Sequence, residues 1–247
     1  MSKIGLQLYS LNNLTKNDFL GTIQKVAQIG YEGVEFAGYF NTKAKDLKEF
    51  LDNSGITPAA THIGIERLQT HLHEEIDYCL ELGCYNIVCP AIPEKYTKSI
   101  EGLNSLVDIF NNIGEKCKQN NINFLLHLHG NEFGLIENKT FLDLLFEKLG
   151  NMLKLEIDTF WVENAGVDAF ELYKKLIDKT PLLHLKDMKS KENKRDTEIG
   201  CGVIKLKEIV KYGNNKTEWF IVEQEEFDID QFESIEISLK NIKGWIE

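Results

Sequence analysis

The chain has 247 residues, 43% hydrophobic and 27% charged, enough apolar material for one large core and an ordinary globular balance. A formal net charge of -11 repels phosphate backbones and anionic lipid, which argues against nucleic acid or a membrane as partner and for a small molecule. Five cysteines (Cys79, Cys84, Cys89, Cys117, Cys201) form neither a CxxC pair nor an even disulfide set, no apolar run reaches a membrane span, and MSKIGLQLYSL runs straight into a strand without a leader, so the expectation is a reduced cytoplasmic protein, monomer or homo-oligomer.

In chain order, residues 4–11 (IGLQLYSL) read as a first strand, and Phe19, Ile23, Val26 and Ala27 then share a helical face that Gly30 ends in a left-handed cap. GVEFA (33–37) is a short buried strand, followed by a charged helical stretch through Phe50 and Leu51 and by the strand TPAATHI (57–63). A helix over 66–82 stops at Gly83, YNIVCPAI (85–92) is the fourth strand, and Leu103, Leu106, Phe110 and Ile113 mark the next helix. FLLHLHGNEF (124–133) is the fifth strand with its turn. After it come a helix over 139–149 closed by Gly150, the strand MLKLEID, a helix over 167–177 and the strand PLLHLKD. The last unit is a helix over 204–212, the strand WFIVEQ, and an amphipathic helix through Phe232, Ile235, Leu239 and Ile242.

Eight strands and eight helices alternate at roughly 31 residues per unit, which predicts one α/β domain over 1–247, a (β/α)8 TIM barrel. A doubly wound open sheet fits less well. Its first turn often carries a glycine-rich phosphate fingerprint, whereas YSLNNLTKND has no glycine.

In a barrel the carboxyl ends of the strands face the active site. Polar residues close several strands here: Gln7 and Tyr9, Glu35, His62, His127 and His129, Glu156 and Asp158, His184 and Lys186, and Glu223. Singly, each reads as a satisfied core polar group. Together they converge on one mouth. Asp158, His184 and Glu223, with a carboxylate from the fifth strand, make an oxygen-rich set with one imidazole, which suits Mn²⁺, Mg²⁺ or Co²⁺ and leaves Zn²⁺ open. A solvated acidic rim is the alternative, but LKLEID and FIVEQ embed their acids in apolar runs.

The segments LQLYSL, THIGIERL, HLHGNEF, LEIDTFWVENAGVD, LLHLKDM, EIGCGVIKL and WFIVEQ resemble the xylose isomerase-like TIM barrels of the sugar phosphate isomerase/epimerase superfamily, over nearly the whole chain. The resemblance implies one divalent ion, Mn²⁺ for preference, held by residues from strands five to eight. On the matching positions these are Asp158, His184 and Glu223, with a fourth ligand from strand five. There the commonest family form ends in Glu-Asn-His; here His127 stands in the glutamate's place and Glu132 follows five residues later, so either Glu132 folds back as ligand or His127 replaces it, with Glu132 preferred. Subgroups with H-x-H-x-x-E-F are more similar.

The implied chemistry is proton transfer next to a carbonyl polarised by the ion, on a ketose or keto-sugar, phosphorylated or not. Glu223 or Glu132 would take the proton, and the other, or His127, would return it. Gln7, Tyr9, Glu35, His62, His129, Trp161 and Lys186 would contact the sugar, Trp161 by stacking unless it simply packs. Lys189, Lys191, Lys194 and Arg195 form either a solvated loop or a phosphate-binding lid. The rival enzyme is a dehydratase or lyase on a keto-inositol or 3-keto-glycoside. A non-catalytic carbohydrate-binding barrel and a nuclease of the apurinic endonuclease type rank lower, the latter because of the net charge and only six histidines.

Overall fold

Short apolar runs of four to six residues form the strands: β1 (Lys3–Gln7), β2 (Gly33–Phe36), β3 (Thr57–His62), β4 (Asn86–Cys89), β5 (Asn123–Leu128), β6 (Lys154–Asp158), β7 (Leu182–Leu185) and β8 (Trp219–Val222). They pair in parallel in chain order, and β8 closes on β1, so the expected (β/α)8 TIM barrel is what forms. The computed structural model describes residues 1–246. One principal helix follows each strand: Phe19–Ile29, Ala44–Ser54, Leu72–Leu82, Ile100–Gln119, Phe141–Leu149, Ala169–Leu176, Leu206–Gly213 and Gln231–Ile246. Asp18, Ser99, Thr140 and Asp168 cap helix starts through their side-chain oxygens, while Gly30, Gly55 and Gly83 end helices in the left-handed region.

Three local departures matter for the site. The first strand ends at Gln7, because the Gln7 side chain accepts the Tyr9 N–H at 2.9 Å and winds Leu8–Leu11 into a 3-10 turn that lifts Tyr9 into solvent. The helix expected over 66–82 is two helices, Ile65–Thr70 and Leu72–Leu82. His71 (φ -134°, ψ 26°) breaks it just after Thr70, whose hydroxyl donates to the Glu66 carbonyl. An extra helix, Thr159–Asn164, starts directly at the end of β6 because Asp158 caps it.

The barrel floor is apolar. Trp219 and Ile221 of β8 pack with Leu182, Leu125, Val88 and Ala60. Opposite them Gly5 and Gly33 leave the room: a Cβ on Gly33 would stand 2.5 Å from the Trp219 ring and 2.8 Å from the Thr57 carbonyl oxygen. The buried polar residues Gln7, Glu35, His127, Glu156, Asp158 and His184 lie above this plug, toward the strands' carboxyl ends.

Candidate active site

Alternate strand residues share a face, so the inward positions above the floor are Gln7, Glu35, His127, Glu156 and His184, joined by His62. They form a closed polar ring. Gln7 Nε2 donates to Glu35 Oε2 at 2.8 Å, and His184 Nε2 lies 2.6 Å from the same oxygen. Glu156 Oε2 is shared by His127 Nδ1 (2.7 Å), His62 Nε2 (2.8 Å) and His184 Nε2 (3.2 Å). Burial opposes charge on His62, but Glu35 and Glu156 outweigh it and push its pKa up to about 10. His184 is driven up against burial by the same two acids, and Glu156 is held well below the carboxylate range by His184 and His62, again against burial.

Directly above, Asp158 Oδ1 accepts the Trp161 N–H at 2.9 Å while Oδ2 is buried without a hydrogen-bond partner among the described residues. Facing that oxygen are His127 Nε2 at 4.0 Å and His184 Nδ1 at 3.9 Å, with Glu223 Oε2 3.2 Å from His184 Nδ1. Asp158, His184 and Glu223 offer ligand atoms all within 4.8 Å of one another. A dry, unmet carboxylate oxygen is costly unless something binds it. The surrounding donors fit a divalent ion: each histidine turns one nitrogen toward Asp158 and the other onto a buried carboxylate, which fixes tautomer and ring orientation. Two carboxylates and two imidazoles suit Mn²⁺, Co²⁺ or Zn²⁺ better than Mg²⁺. His62, His127, Glu156 and His184 also cluster tightly enough for an ion, but there three imidazole nitrogens already converge on Glu156 Oε2 at 2.7–3.2 Å, whereas in the upper set His184 and Glu223 touch at 3.2 Å and Asp158 Oδ2 is left unmet among the described residues.

Charge at the centre is unevenly held. Burial pushes Asp158 up to about 6, against the pull of Lys186 and His127. Burial acts the same way on Glu223, but Lys186 and His184 win and keep it far below the usual range, hence ionised. His129 is driven down to about 3 by burial and by His127, hence neutral, and its Nδ1 is buried without a partner among the described residues.

A cavity of about 450 Å³ opens above these groups, lined by Tyr9, Ala37, His62, Pro90, His127, His129, Trp161, Glu223 and Glu225. Tyr9, His62, His129 and Trp161, expected as sugar contacts, line this cavity. Trp161 packs edge-on against His129, with ring centroids 5.5 Å apart, and forms cavity wall. Gln7 and Glu35 do not line it; strand stagger places them a layer lower, where they orient His184. Lys186 is also withdrawn, 1% exposed, hydrogen-bonded to Glu225 and 3.7 Å from both Glu223 and Asp196. It lies among three carboxylates and not in the cavity wall.

Glu132 differs from the preferred expectation. Its Oε2 accepts the backbone N–H groups of His129 (3.1 Å) and Gly130 (3.0 Å), which ties the turn after β5 to itself, and Glu132 joins neither ligand cluster among the described residues. The position facing Asp158 from β5 is taken by His127. Glu156 was visible as a strand-end acid but received no role; its spacing of two from Asp158, which puts both on one face, was the available signal. Glu225, two residues after Glu223, carried the same signal. Lys189 and Arg195 pair with Asp228 and Glu226 at the surface.

A closed (β/α)8 barrel with a His/Asp/Glu cluster at the carboxyl ends of its strands defines the class. The chain belongs to the xylose isomerase-like TIM barrel family, whose profile matches residues 23–245. It is 27% identical over 192 residues to an inosose dehydratase of Geobacillus kaustophilus (strain HTA426), 68% of this chain and 61% of that protein, so the match spans about three-fifths of the curated relative's length. Among solved structures it resembles a sugar phosphate isomerase/epimerase from Parabacteroides distasonis ATCC 8503 (TM-score 0.84, 22% identity, 100% of both chains). It also resembles an L-ribulose 3-epimerase (TM-score 0.77, 14% identity, 100% of this chain and 95% of that one). Among the described residues no helix is long and apolar enough to cross a membrane.

Proposed function

We propose that this chain is a divalent-metal-dependent sugar isomerase or epimerase that moves a proton at the carbon next to the carbonyl of a ketose or keto-sugar. The observation that carries the reading is the unmet Asp158 Oδ2, faced by His127, His184 and Glu223 beneath a cavity lined with polar groups and two aromatic rings. His127, Asp158, His184 and Glu223 would hold the ion, which when bound supplies Lewis-acid polarisation of the substrate carbonyl.

The protein's own groups do the rest. Glu223 lines the cavity and is kept ionised by Lys186 and His184, which makes it the base. It can return the proton to the neighbouring carbon on the same face, giving isomerisation. By strand order the ends of β3 and β5 lie across the barrel from β8, so His62 is the proton donor on the opposite face, giving epimerisation. His129, held neutral, hydrogen-bonds a sugar hydroxyl, and Tyr9 and Trp161 cover the apolar face of the ring.

Proton-exchange NMR in D₂O over a panel of ketoses and 3-keto-glycosides tests this: deuterium should enter the substrate with no water lost. A second reading, elimination from a keto-inositol or 3-keto-glycoside, is favoured by the relative named an inosose dehydratase. It begins with the same proton removal by Glu223, and His62 then protonates the departing oxygen. An absorbing enone would mark it. Neither exchange nor enone across the panel contradicts both.

A further inference from the structure

We infer that the sugar taken by this site carries no phosphate. The inference rests on the sugar-processing reading above and narrows its substrate class. In (β/α)8 barrels a phosphate group is commonly received by backbone N–H groups of the loops after the seventh and eighth strands and by a helix N-terminus beside them. In this chain many of those donors are already occupied by the protein's own acceptors.

After β7, the buried Asp187 carboxylate accepts the N–H groups of Met188 (2.9 Å), Gly200 (2.9 Å), Gly202 (3.0 Å) and Ile204 (3.2 Å). After β8, Gln224 N–H donates to the Ser10 hydroxyl at 3.0 Å and Glu225 N–H to Asp196 Oδ2 at 2.7 Å. At the start of the last helix, Asp230 Oδ1 accepts the N–H groups of Phe232 (2.9 Å) and Glu233 (3.1 Å). Carboxylates therefore sit where a phosphate would be cradled.

Side chains agree with the backbone. Among the described residues no lysine or arginine lines the cavity, whereas Glu223 and Glu225 do. Lys186, the nearest lysine on the same side, is buried and spent on Glu225, Glu223 and Asp196. His62 spends its Nε2 on Glu156 and Glu35. A phosphate entering here would lose its hydration and meet two carboxylates in return, which is repulsive at short range. An uncharged sugar meets His129, the Tyr9 and Trp161 rings, and carboxylates that accept hydrogen bonds from its hydroxyls.

The test is isothermal titration calorimetry on the full, manganese-loaded chain with D-fructose, D-tagatose and 3-keto-D-glucose, each against its 6-phosphate. The expected result is that at least one parent sugar binds and that its phosphate binds tenfold or more weakly. A phosphate ester binding as tightly as its parent, or tighter, overturns the inference, and so does a panel in which no parent binds. Deuterium exchange on whichever sugar binds separates the two readings: a parent sugar bound in preference to its phosphate but never exchanging or eliminating defeats the proposed reaction and leaves the charge selectivity standing.

Discussion

At Asp158 the two carboxylate oxygens have different work: Oδ1 caps a helix, and Oδ2 waits buried for a partner. Because its pKa rises from the ordinary carboxylate value to about 6, the folded chain without metal binds this proton more tightly than the unfolded chain does. That contribution is present below about pH 4 and is lost as pH climbs through about 6, a loss of about 3 kcal/mol. Asp158→Asn keeps the cap but removes the charge, so urea unfolding at pH 8 with chelator should find the variant more stable than the parent. Added Mn²⁺ should stabilise the parent and not the variant. Metal uptake must also expel the proton that His184 holds, so affinity should rise roughly tenfold per pH unit through neutrality and more steeply below pH 6, where Asp158 must lose one too. Calorimetry in buffers of different ionisation enthalpy should register that proton release; uptake without it would contradict the ligand assignment. Glu132 and His127 separate in the same way. Glu132→Gln should weaken the turn after β5 yet keep metal stoichiometry, whereas His127→Ala should lower metal affinity at least tenfold.

Among elements, the loop from β7 to the helix Leu206–Gly213 depends on one side chain. Asp187→Ala would leave four backbone N–H groups without their acceptor in a mostly buried setting, at a cost of about 3 kcal/mol or more, together with easier proteolysis between residues 189 and 204. Chemical unfolding and limited digestion measure both, and unchanged stability would show that water replaces the carboxylate. At the barrel floor, Gly33→Ala should cost about 1–3 kcal/mol, because the added methyl has nowhere to go but the Trp219 ring and the Thr57 carbonyl. The alternation of elements was legible from local signals: apolar strand runs, and glycines such as Gly30 and Gly83 closing helices. So were Asp158, His184 and Glu223, acids and an imidazole inside apolar runs. Depth along the barrel axis was not legible, because strand stagger, unlike strand parity, is set by closure of the whole sheet; Gln7 and Glu35 were for that reason placed a layer too high. Nor was the role of Glu132, which depends on the turn conformation at His129 and Gly130. Helix breaks at His71 and the short helix after Asp158 hinge on side-chain capping of one or two backbone groups.

Across the whole molecule, acidity and thiol placement point the same way as the site. Four cysteines are buried and only Cys201 is exposed; burial, with a hydrogen bond to Ala91 pulling the other way, pushes Cys89 up to about 12. An aromatic disulfide reagent should therefore modify one thiol in the native chain and five after unfolding. More than one fast native thiol would mean that the helical shell opens more readily than its packing suggests. Within that shell the apolar floor carries a ring of carboxylates and imidazoles, and the ring aims two histidine nitrogens at one unmet oxygen. The most direct test is equilibrium dialysis against Mn²⁺ followed by elemental analysis, on the parent chain and on Asp158→Asn. One ion per parent chain and none on the variant is the expected result. A parent that takes up no ion, or a variant that binds as well as the parent, would contradict a metal centre at Asp158, His184, Glu223 and His127.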